Sequence, residues 1–278
     1  MTLNKLIGIG LIALSTCGGF TFMESEDEKE QLIVHLTNPA KPGKLTVGLV
    51  NGDIHVIGYD GKDVIIDAVQ ENDSKQNNRK GNAGKDGMKR ITPNDGFEIT
   101  AEEENNNVTV ESDQVNKIIN LTIKVPKRFS LKLNTVNHGE IIIENVSGNF
   151  ELGNVNGGIK MKNVSGSALA NTINGNLTAD FNDITSGTPM AFTTLNGDVD
   201  VTLPNTAKLN VKMLSEMGEI YSDFEIDIDK SSSKIQRSSE KGVYKIQKDK
   251  WTYGKINGGG AEILMKNMHG DVNIRKGK

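Results

Sequence analysis

The sequence predicts an all-β protein built as a single stack of parallel β-coils, a β-solenoid, and three observations support this fold class. Glycine returns every nine residues, at Gly139, Gly148, Gly157 and Gly166. Between these glycines apolar and polar residues alternate, which is the pattern of a strand with one buried face. The chain of 278 residues has 30 glycines and only 5% aromatic residues, which favours many short strands joined by tight turns over long helices.

Each nine-residue unit predicts one strand and one turn, because Asn or Ser followed by Gly is typical of a tight turn. The third and fifth positions should point inward, and the eighth position (Val146, Val155, Val164 and Ile173) should fill the corner. The turns alternate in kind, so half-coils of about nine residues combine into coils of about 18–22 residues. This pattern favours a solenoid over a hairpin meander, and the usual crossover preference predicts a right-handed coil. The predicted structural turn glycines are Gly139, Gly148, Gly157, Gly166, Gly175, Gly197 and Gly218.

Stacked coils also predict columns of outward side chains, about 4.8 Å apart along the stack. One column should contain Glu144, Lys162 and Asp180. A second column should be an amide stack, and its predicted members are Asn145, Asn154 and Asn163.

The chain divides by composition into four regions. Residues 1–23 form a signal peptide or lipoprotein leader, and residues 24–30 form an acidic tether. Residues 31–134 form an N-terminal β-strand region in which the polar, glycine-rich stretch 71–96 is predicted to be a mobile loop. Residues 135–278 form the repeat solenoid, interrupted by a basic insertion at 229–255.

The leader predicts export to the cell envelope, in the periplasm or on the outer surface. Lys5 precedes the apolar run LIGIGLIAL, and LSTCGG resembles a lipobox in which Cys17 would carry the lipid. Ordinary cleavage and a retained anchor are the alternatives, since Thr16 is unusual before a lipidated cysteine. Membrane attachment is expected through the leader or lipid only. Cys17 is the one cysteine of the chain, so no disulfide is expected in the mature domain.

Several functional classes are disfavoured by charge and spacing. The net charge of −4 without a basic stripe argues against nucleic-acid binding. The units lack the paired glycines and aspartates of calcium-binding nonapeptides, so no metal and no cofactor are expected. His138 and His269 precede turn glycines and are interpreted as substitutes for Asn rather than as ligands.

Two sets of residues are candidates for function. Polysaccharide lyases and hydrolases need clustered carboxylates on an outer face, and the candidates here are Asp180, Asp183, Asp198 and Asp200. The simpler interpretation is that these are solvated strand and turn residues. The second set is a basic, aromatic patch suited to a sugar or anionic polymer, with Lys245, Lys248, Lys250, Trp251 and Tyr253 as possible ligand contacts. The alternative is that Trp251 caps an open end of the core.

The run LTIKVPKRFSLKLNTVNHGEIIIENVSGNFELGNVNGGIKM, with TLNGDVDVTLP and the closing INGGGAEILMKNMHGDVNIRK, resembles the bacterial putative-adhesin family of β-strand-repeat domains of unknown function. The resemblance covers most of the chain after Lys44. It implies an exported β-solenoid of the cell envelope and no catalytic residues.

The sequence therefore predicts a non-enzymatic, adhesin-like binding or scaffolding protein. Its partner would be an unknown surface ligand, either a polysaccharide or an envelope protein. A carbohydrate-active β-helix enzyme and an envelope structural or sensing protein are the alternatives.

Overall fold

The computed structural model describes residues 29–71, 96–112, 114–229, 235–240, 243–248 and 250–277. The regular secondary structure of these residues is entirely β, which confirms the predicted all-β class. The described ranges contain no apolar helix of membrane-spanning length. The strands are β1 (Lys29–His35), β2 (Gly43–Gly48), β3 (Ile54–Tyr59), β4 (Asp63–Gln70), β5 (Thr100–Glu104), β6 (Asn107–Glu111), β7 (Ile119–Pro126), β8 (Phe129–Thr135), β9 (Ile141–Glu144), β10 (Ser147–Asn154), β11 (Ile159–Asn171), β12 (Leu177–Ile184), β13 (Met190–Thr193), β14 (Val199–Leu203), β15 (Leu209–Ser215), β16 (Ile220–Ser222), β17 (Asp227–Ile228), β18 (Ile235–Glu240), β19 (Val243–Lys248), β20 (Thr252–Ile256), β21 (Ala261–Asn267) and β22 (Val272–Lys276).

Twenty of these strands form one mixed hydrogen-bonded network, and β18 and β19 form a separate antiparallel hairpin. The network has two faces that share β11. Face I follows the order β1, β4, β7, β3, β9, β11, β12, β14, β22, β16. Face II follows the order β5, β6, β2, β8, β10, β11, β13, β21, β15, β20, β17.

The parallel pairs divide the middle of the molecule into seven layers, each with one strand segment on face II and the next one on face I. From one end of the stack to the other, the layers are 43–59, 129–144, 147–162, 165–180, 190–203, 261–276 and 209–222. They are called layers 1 to 7 below. Pairing of β3 with β9 and of β8 with β10 crosses the predicted boundary at residue 134, and the domain division itself stays a prediction.

The layers do not all follow chain order. The C-terminal strands β21 and β22 form layer 6, and the earlier strands β15 and β16 form layer 7. This arrangement is possible because β20 runs antiparallel beside β15 and returns the chain along the end of the stack. The chain can then enter the stack as a parallel strand between β13 and β15.

The core confirms the inward positions of the repeat. Residues at the third and fifth positions of the first three units are almost fully buried, and these are Ile141, Ile143, Phe150, Leu152, Ile159 and Met161. The expectation for the eighth position is wrong for half of the residues. Val146 and Val164 are buried, but Val155 is only half-buried and Ile173 is 43% exposed. Alternate units turn at opposite corners of the stack, and only one of the two corners points its eighth residue inward.

Antiparallel strands lie at both ends of the stack. β4 and β1 follow β7 on face I, β5 follows β6 on face II, and β20 and β17 follow β15 at the other end. Such strands limit the edges at which a parallel stack would otherwise recruit further strands. Most of the loop predicted at 71–96, namely 72–95, lies outside the described residues, as do the leader and Cys17.

The turn glycines form columns of close backbone contact. A Cβ atom on Gly157 would collide with the carbonyl oxygen of Gly139, and one on Gly139 would collide with that of Gly52. The same relation continues through the following layers, in the order Gly175, Gly197, Gly270 and Gly218. At the opposite corner a Cβ atom on Gly166 would meet the carbonyl of Gly148, and one on Gly148 would meet that of Phe129. The φ angle of Gly157 lies outside the left-handed region, so this glycine is required by contact rather than by backbone conformation.

A column of polar side chains inside the first corner links the same layers. In each layer a hydroxyl or amide group donates a hydrogen bond to the carbonyl of the turn glycine in the preceding layer. In layer order the pairs are Thr135 with Gly52, Asn154 with Gly139, Thr172 with Gly157, Thr194 with Gly175, Asn267 with Gly197 and Ser215 with Gly270. The donor-to-acceptor distances are 2.8–3.1 Å. These bonds satisfy carbonyl groups that would be costly to bury alone.

We expect Ile159→Asp to unfold several layers together. Ile159 is fully buried and pairs with both Ile141 and Leu177, so a carboxylate there would cost more than about 4 kcal/mol. Chemical denaturation followed by circular dichroism measures this loss. Leu169→Asp, on the same strand but 53% exposed, is the matched control and should cost little. Loss of order confined to β11 would contradict a cooperative stack.

We expect Gly157→Ala to destabilise the protein by about 1–3 kcal/mol, because the new methyl group would push layer 3 away from Gly139. Gly48→Ala is the matched control, since a Cβ atom on Gly48 has open space around it. That control should change the free energy of unfolding by no more than about 0.5 kcal/mol. Equal effects of the two substitutions in urea denaturation would show that corner contact does not determine the spacing.

Candidate functional site

Three of the residues predicted to contact a ligand lie together at the end of the stack, beside layer 7. The rings of Trp251 and Tyr253 have centroids 6.5 Å apart and planes inclined by 40°. The ammonium of Lys212 lies 4.9 Å from the centre of the Trp251 ring, which is cation–π geometry. Lys250 forms an ion pair with Glu216 at 3.0 Å. Lys212, Lys250, Trp251 and Tyr253 are called the aromatic patch below.

The other two predicted contact residues, Lys245 and Lys248, lie on β19 of the separate hairpin. Their side chains fall outside the described part of the chain. On β20 it is Ile256 that is fully buried against the core, while Trp251 and Tyr253 are half-buried. The aromatic patch therefore has ring surface available for a ligand.

An amide ladder runs along the outside of the first corner. Each asparagine donates a side-chain hydrogen bond to the asparagine of the preceding layer, over Asn137, Asn156, Asn174 and Asn196 at 2.7–3.0 Å. Asn51 and His269 continue the ladder at its two ends through parallel backbone bridges.

The amide stack predicted for Asn145, Asn154 and Asn163 is therefore wrong in its members. Asn145 and Asn163 lie at the opposite corner with positive φ, Asn163 at the register shift within β11, and Asn154 belongs to the buried polar column. His269 occupies the ladder position of an asparagine, as the sequence predicts. His138 does not, because it is an additional residue with a φ of 55° after the ladder residue Asn137.

The residue before each ladder position forms an exposed apolar row, which the sequence analysis missed. In layer order this aliphatic ridge consists of Val50, Val136, Val155, Ile173, Leu195 and Met268, in layers 1 to 6. In layer 7 the same position is Glu216, and Met217 takes the ladder position, because its N–H donates to the carbonyl of Met268 as that of His269 donates to Leu195. Backbone hydrogen bonds of 2.8–3.0 Å from the next layer hold its members in line. Five of the six side chains are 36–43% exposed, and Val155 is half-buried. The sequence carries the signal as an apolar residue before Asn-Gly, but the eighth position of a unit predicts a buried corner residue there instead.

The predicted charged column is shorter than expected. Lys162 and Glu144 face each other in register and form an ion pair at 3.0 Å. The register shifts between Met161 and Val164, so Lys162 and Asp180 are not paired and the column ends at Lys162. On its other side Asp180 pairs with Thr202 of the next layer.

The lysine determines the ionisation of its partner. Its hydrogen bond lowers the pKa of Glu144 below the ordinary carboxyl value, and burial opposes this shift only partly. His55 also approaches Glu144, with 3.8 Å between Nε2 and Oε2.

Three of the four aspartates that could serve an enzyme form hydrogen bonds within the fold. Both carboxylate oxygens of Asp200 accept from Nε of Arg275, and this contact raises the pKa of the guanidinium. Asp198 accepts the backbone N–H of Asp271 in the next layer at 2.8 Å. Asp183 accepts the N–H of the residue that follows it, and Asp180 lies on the other side of the β11 register shift.

Among the described residues, no group of three or more His, Cys, Asp and Glu side chains could hold a metal ion. A depression of about 290 Å³ lies on the outer side of face II between β2 and β6. Its lining includes Thr46, Thr109, Ser112 and a single carboxylate, Glu111. This set does not provide the paired acid and base of a hydrolase.

The strands lie in layers with two faces that meet at a glycine corner, and similar side chains form rows along the stack. This arrangement defines a β-repeat protein. A family model described as Toastrack DUF4097 matches residues 13–275. The chain belongs to this family, and the resemblance seen in the sequence is confirmed. None of the curated proteins matches the chain.

Solved structures similar to this chain come from three bacteria. A "putative cell adhesion protein" from Clostridium sporogenes is 14% identical with a TM-score of 0.48, over 91% of this chain and 100% of its own. A "putative adhesin" from Bacteroides fragilis is 11% identical with a TM-score of 0.36, over 90% and 97%. A "putative lipid binding protein" from Parabacteroides distasonis is 10% identical with a TM-score of 0.27, over 92% and 98%.

The ion pair on face I predicts a pH dependence. Because the folded-state pKa of Glu144 lies below its unfolded value, the pair stabilises the fold above about pH 4.3. This contribution, about 0.5 kcal/mol or less for so accessible a pair, is lost as the pH falls through the folded-state pKa. In an NMR titration, Lys162→Met should return the pKa of Glu144 toward its ordinary value. Lys160→Met, which removes the neighbouring partner of Glu140, should leave it lowered.

Proposed function

We propose that this protein is a non-enzymatic binding or scaffolding protein of the cell envelope that acts through its outer surface. The observation that carries the proposal is the set of continuous outer rows. The amide ladder and the aliphatic ridge each repeat one kind of side chain along the stack. The ridge ends close to the aromatic patch, because Glu216, which follows Met268 in this row, pairs with Lys250 of the patch. A repeated surface of this kind suits an extended partner, whereas catalysis needs different groups converging on one point.

The finer architecture that we propose is a single right-handed β-solenoid. Its support is the register of the parallel pairs. Ile159 pairs with Ile141, Ser165 with Ser147 and Val199 with Leu177, which are offsets of one predicted coil each. The handedness is inferred from the general preference of parallel crossovers.

We also propose that the protein is exported and held at the envelope through its leader or a lipid on Cys17. The support is the sequence pattern alone, a short apolar run after Lys5 followed by a lipobox-like LSTCGG. A lipid at this position would tether the stack to a membrane through the acidic segment 24–30.

The aromatic patch is the proposed contact for a polysaccharide ligand. Its support is two adjacent rings with cations beside them, an arrangement that binds the apolar faces and hydroxyl groups of sugars well. An enzyme is the less favoured alternative, because Asp200 is held by Arg275 and Asp198 by a backbone N–H.

The test incubates the full chain with insoluble and soluble polysaccharides and scores both retention of the protein and release of new sugar ends. We expect retention without release. Trp251→Ala should weaken retention at least about fivefold, in line with 1 kcal/mol or more for a lost ring contact. Tyr221→Ala removes an aromatic ring that is 55% exposed outside the patch, and this control should bind normally.

Release of sugar ends that is abolished by Asp198→Asn with Asp200→Asn would overturn the proposal in favour of an enzyme. Absence of both retention and release would overturn the polysaccharide ligand. The partner would then be sought among envelope proteins by crosslinking in living cells.

A further inference from the structure

Face II has a straight row of small, uncharged outer positions. One outward residue of each layer forms this floor row, which in layers 1 to 5 consists of Gly48, Asn134, Gly153, Asn171 and Thr193. Longer side chains flank the row. The aliphatic ridge lies two residues later in each strand, and Lys132, Glu151 and Leu169 lie two residues earlier in layers 2 to 4. The floor row is therefore the bottom of a shallow channel along the stack.

One end of the channel is the depression between β2 and β6. Gly48 pairs with Glu111 of β6, and the depression of about 290 Å³ beside them is also lined by Thr46 and Thr109. A Cβ atom on Gly48 would have open space around it. Because Gly48 has no side chain, the hollow reaches the backbone of β2.

The other end of the channel is the aromatic patch. The floor row continues through layer 6 to Leu214 in layer 7. The pairing of Met213 with Thr252 places the next residues, Leu214 and Trp251, beside each other. A molecule that lies in the channel from layer 1 onward therefore reaches the Trp251 ring after six layer spacings, which is about 29 Å.

The floor row has hydrogen-bonding groups that the fold does not use. Within the described residues, the side-chain amide of Asn134 and the hydroxyl of Thr193 have no hydrogen-bond partner. Asn171 donates one N–H to the carbonyl of Leu152, and its side-chain oxygen stays available. Amide and hydroxyl groups that recur from layer to layer suit a partner that repeats its own hydroxyl groups at a similar interval.

The charges around the channel favour a neutral partner. None of the five floor positions is charged, and Lys132 beside them is paired with Glu151 at 2.8 Å. The row continues to a carboxylate, Glu111, at one end and to Lys266 at the other. A polyanion in the channel would therefore meet no cation in the floor row over five layers and would meet a carboxylate at its end.

We propose that this channel binds a straight, neutral, β-1,4-linked polysaccharide, with one end of the bound segment on the Trp251 ring. The inference rests on the proposed function, because it extends the sugar site of the aromatic patch along face II. Each sugar of such a ribbon advances by a distance similar to one layer spacing of about 4.8 Å, so about seven sugars span the seven layers. The floor row supplies hydrogen bonds, and Trp251 and Tyr253 supply ring contacts.

The first experiment measures the affinity of the full chain for cello-oligosaccharides and chito-oligosaccharides, from the disaccharide to the hexasaccharide, by isothermal titration calorimetry. We expect the affinity to rise throughout the series, because six sugars are still fewer than the layers of the channel. The two series share the linkage and differ in the N-acetyl group, so their comparison identifies the source of the ligand. Malto-oligosaccharides curve away from a straight row, and their affinity should stop rising after about two sugars, which the two rings of the patch can hold.

The second experiment blocks the channel at defined layers. Gly153→Tyr fills layer 3 and leaves about four layers up to the patch, so the affinity should level off at about four sugars. The hexasaccharide should bind at least about tenfold more weakly, and the disaccharide should bind as before. The new side chain is tolerable, because a Cβ atom on Gly153 would first meet the side-chain amide of Asn134, which can move.

Matched variants keep this test decisive. Gly48→Tyr places the same ring in layer 1, leaves about six layers and should not change binding of the hexasaccharide. Asn134→Tyr, in layer 2, should make the affinity level off at about five sugars, and it replaces Gly153→Tyr if that variant fails to fold. Thr178→Tyr is exposed on face I and should have no effect at any length.

The outcomes separate this proposal from the aromatic patch. Affinity that does not rise beyond the disaccharide or trisaccharide, and that Trp251→Ala removes while Gly153→Tyr does not, would reject the channel and leave the patch as the sugar site. An equal rise for malto-oligosaccharides would overturn the straight ligand. No binding of either β-1,4-linked series at any length would overturn the channel, whereas retention on another polysaccharide would still support the patch.

Discussion

The close contact between turn glycines is the constraint on which the rest of the structure depends. A Cβ atom on Gly157 would collide with the carbonyl of Gly139, and the same close approach recurs in every layer at this corner. Any larger residue would hold the layers apart at that point, and the strand hydrogen bonds on both faces would weaken. The buried donors, such as Thr172 and Asn154, reach the glycine carbonyls only because the layers are this close. Because each of these glycines lacks a Cβ atom, both the backbone strands and the column of buried polar side chains stay aligned from layer to layer.

The same spacing produces the exterior. Once the layers are aligned, every position of the repeat becomes a straight row, whether it faces the core or the solvent. The buried row containing Ile141 and Ile159 supplies the hydrophobic stabilisation, and the outer rows become the amide ladder and the aliphatic ridge. The ridge keeps an aliphatic side chain at the surface in each of layers 1 to 6, although such side chains are unfavourable in water.

Most of the polar residues that were candidates for catalysis form contacts within the fold instead. Asp198 bonds to the backbone of layer 6, Asp200 holds Arg275, and Glu144 is held ionised by Lys162. What remains for recognition is the aromatic patch at one end and the ridge along one corner. The two surfaces differ in character, since the patch combines rings with cations and the ridge has neither. This difference is why a sugar is proposed for the patch and not for the ridge.

The sequence by itself determined the all-β class, the inward positions such as Ile159 and the family, because period-two alternation and the glycine interval are local properties of the chain. It also identified Trp251 and Tyr253 as candidate ligand contacts. It wrongly predicted that Asn145 and Asn154 share one column and that Ile173 is buried. These errors share a cause. The nine-residue units look alike locally, yet successive units turn at opposite corners, and only packing decides which corner points a residue outward. Likewise only the tertiary structure inserted β21 and β22 between β13–β14 and β15–β16. Each strand there carries a similar alternating pattern, so its choice of neighbours depends on long-range contacts and on the return of the chain along β20.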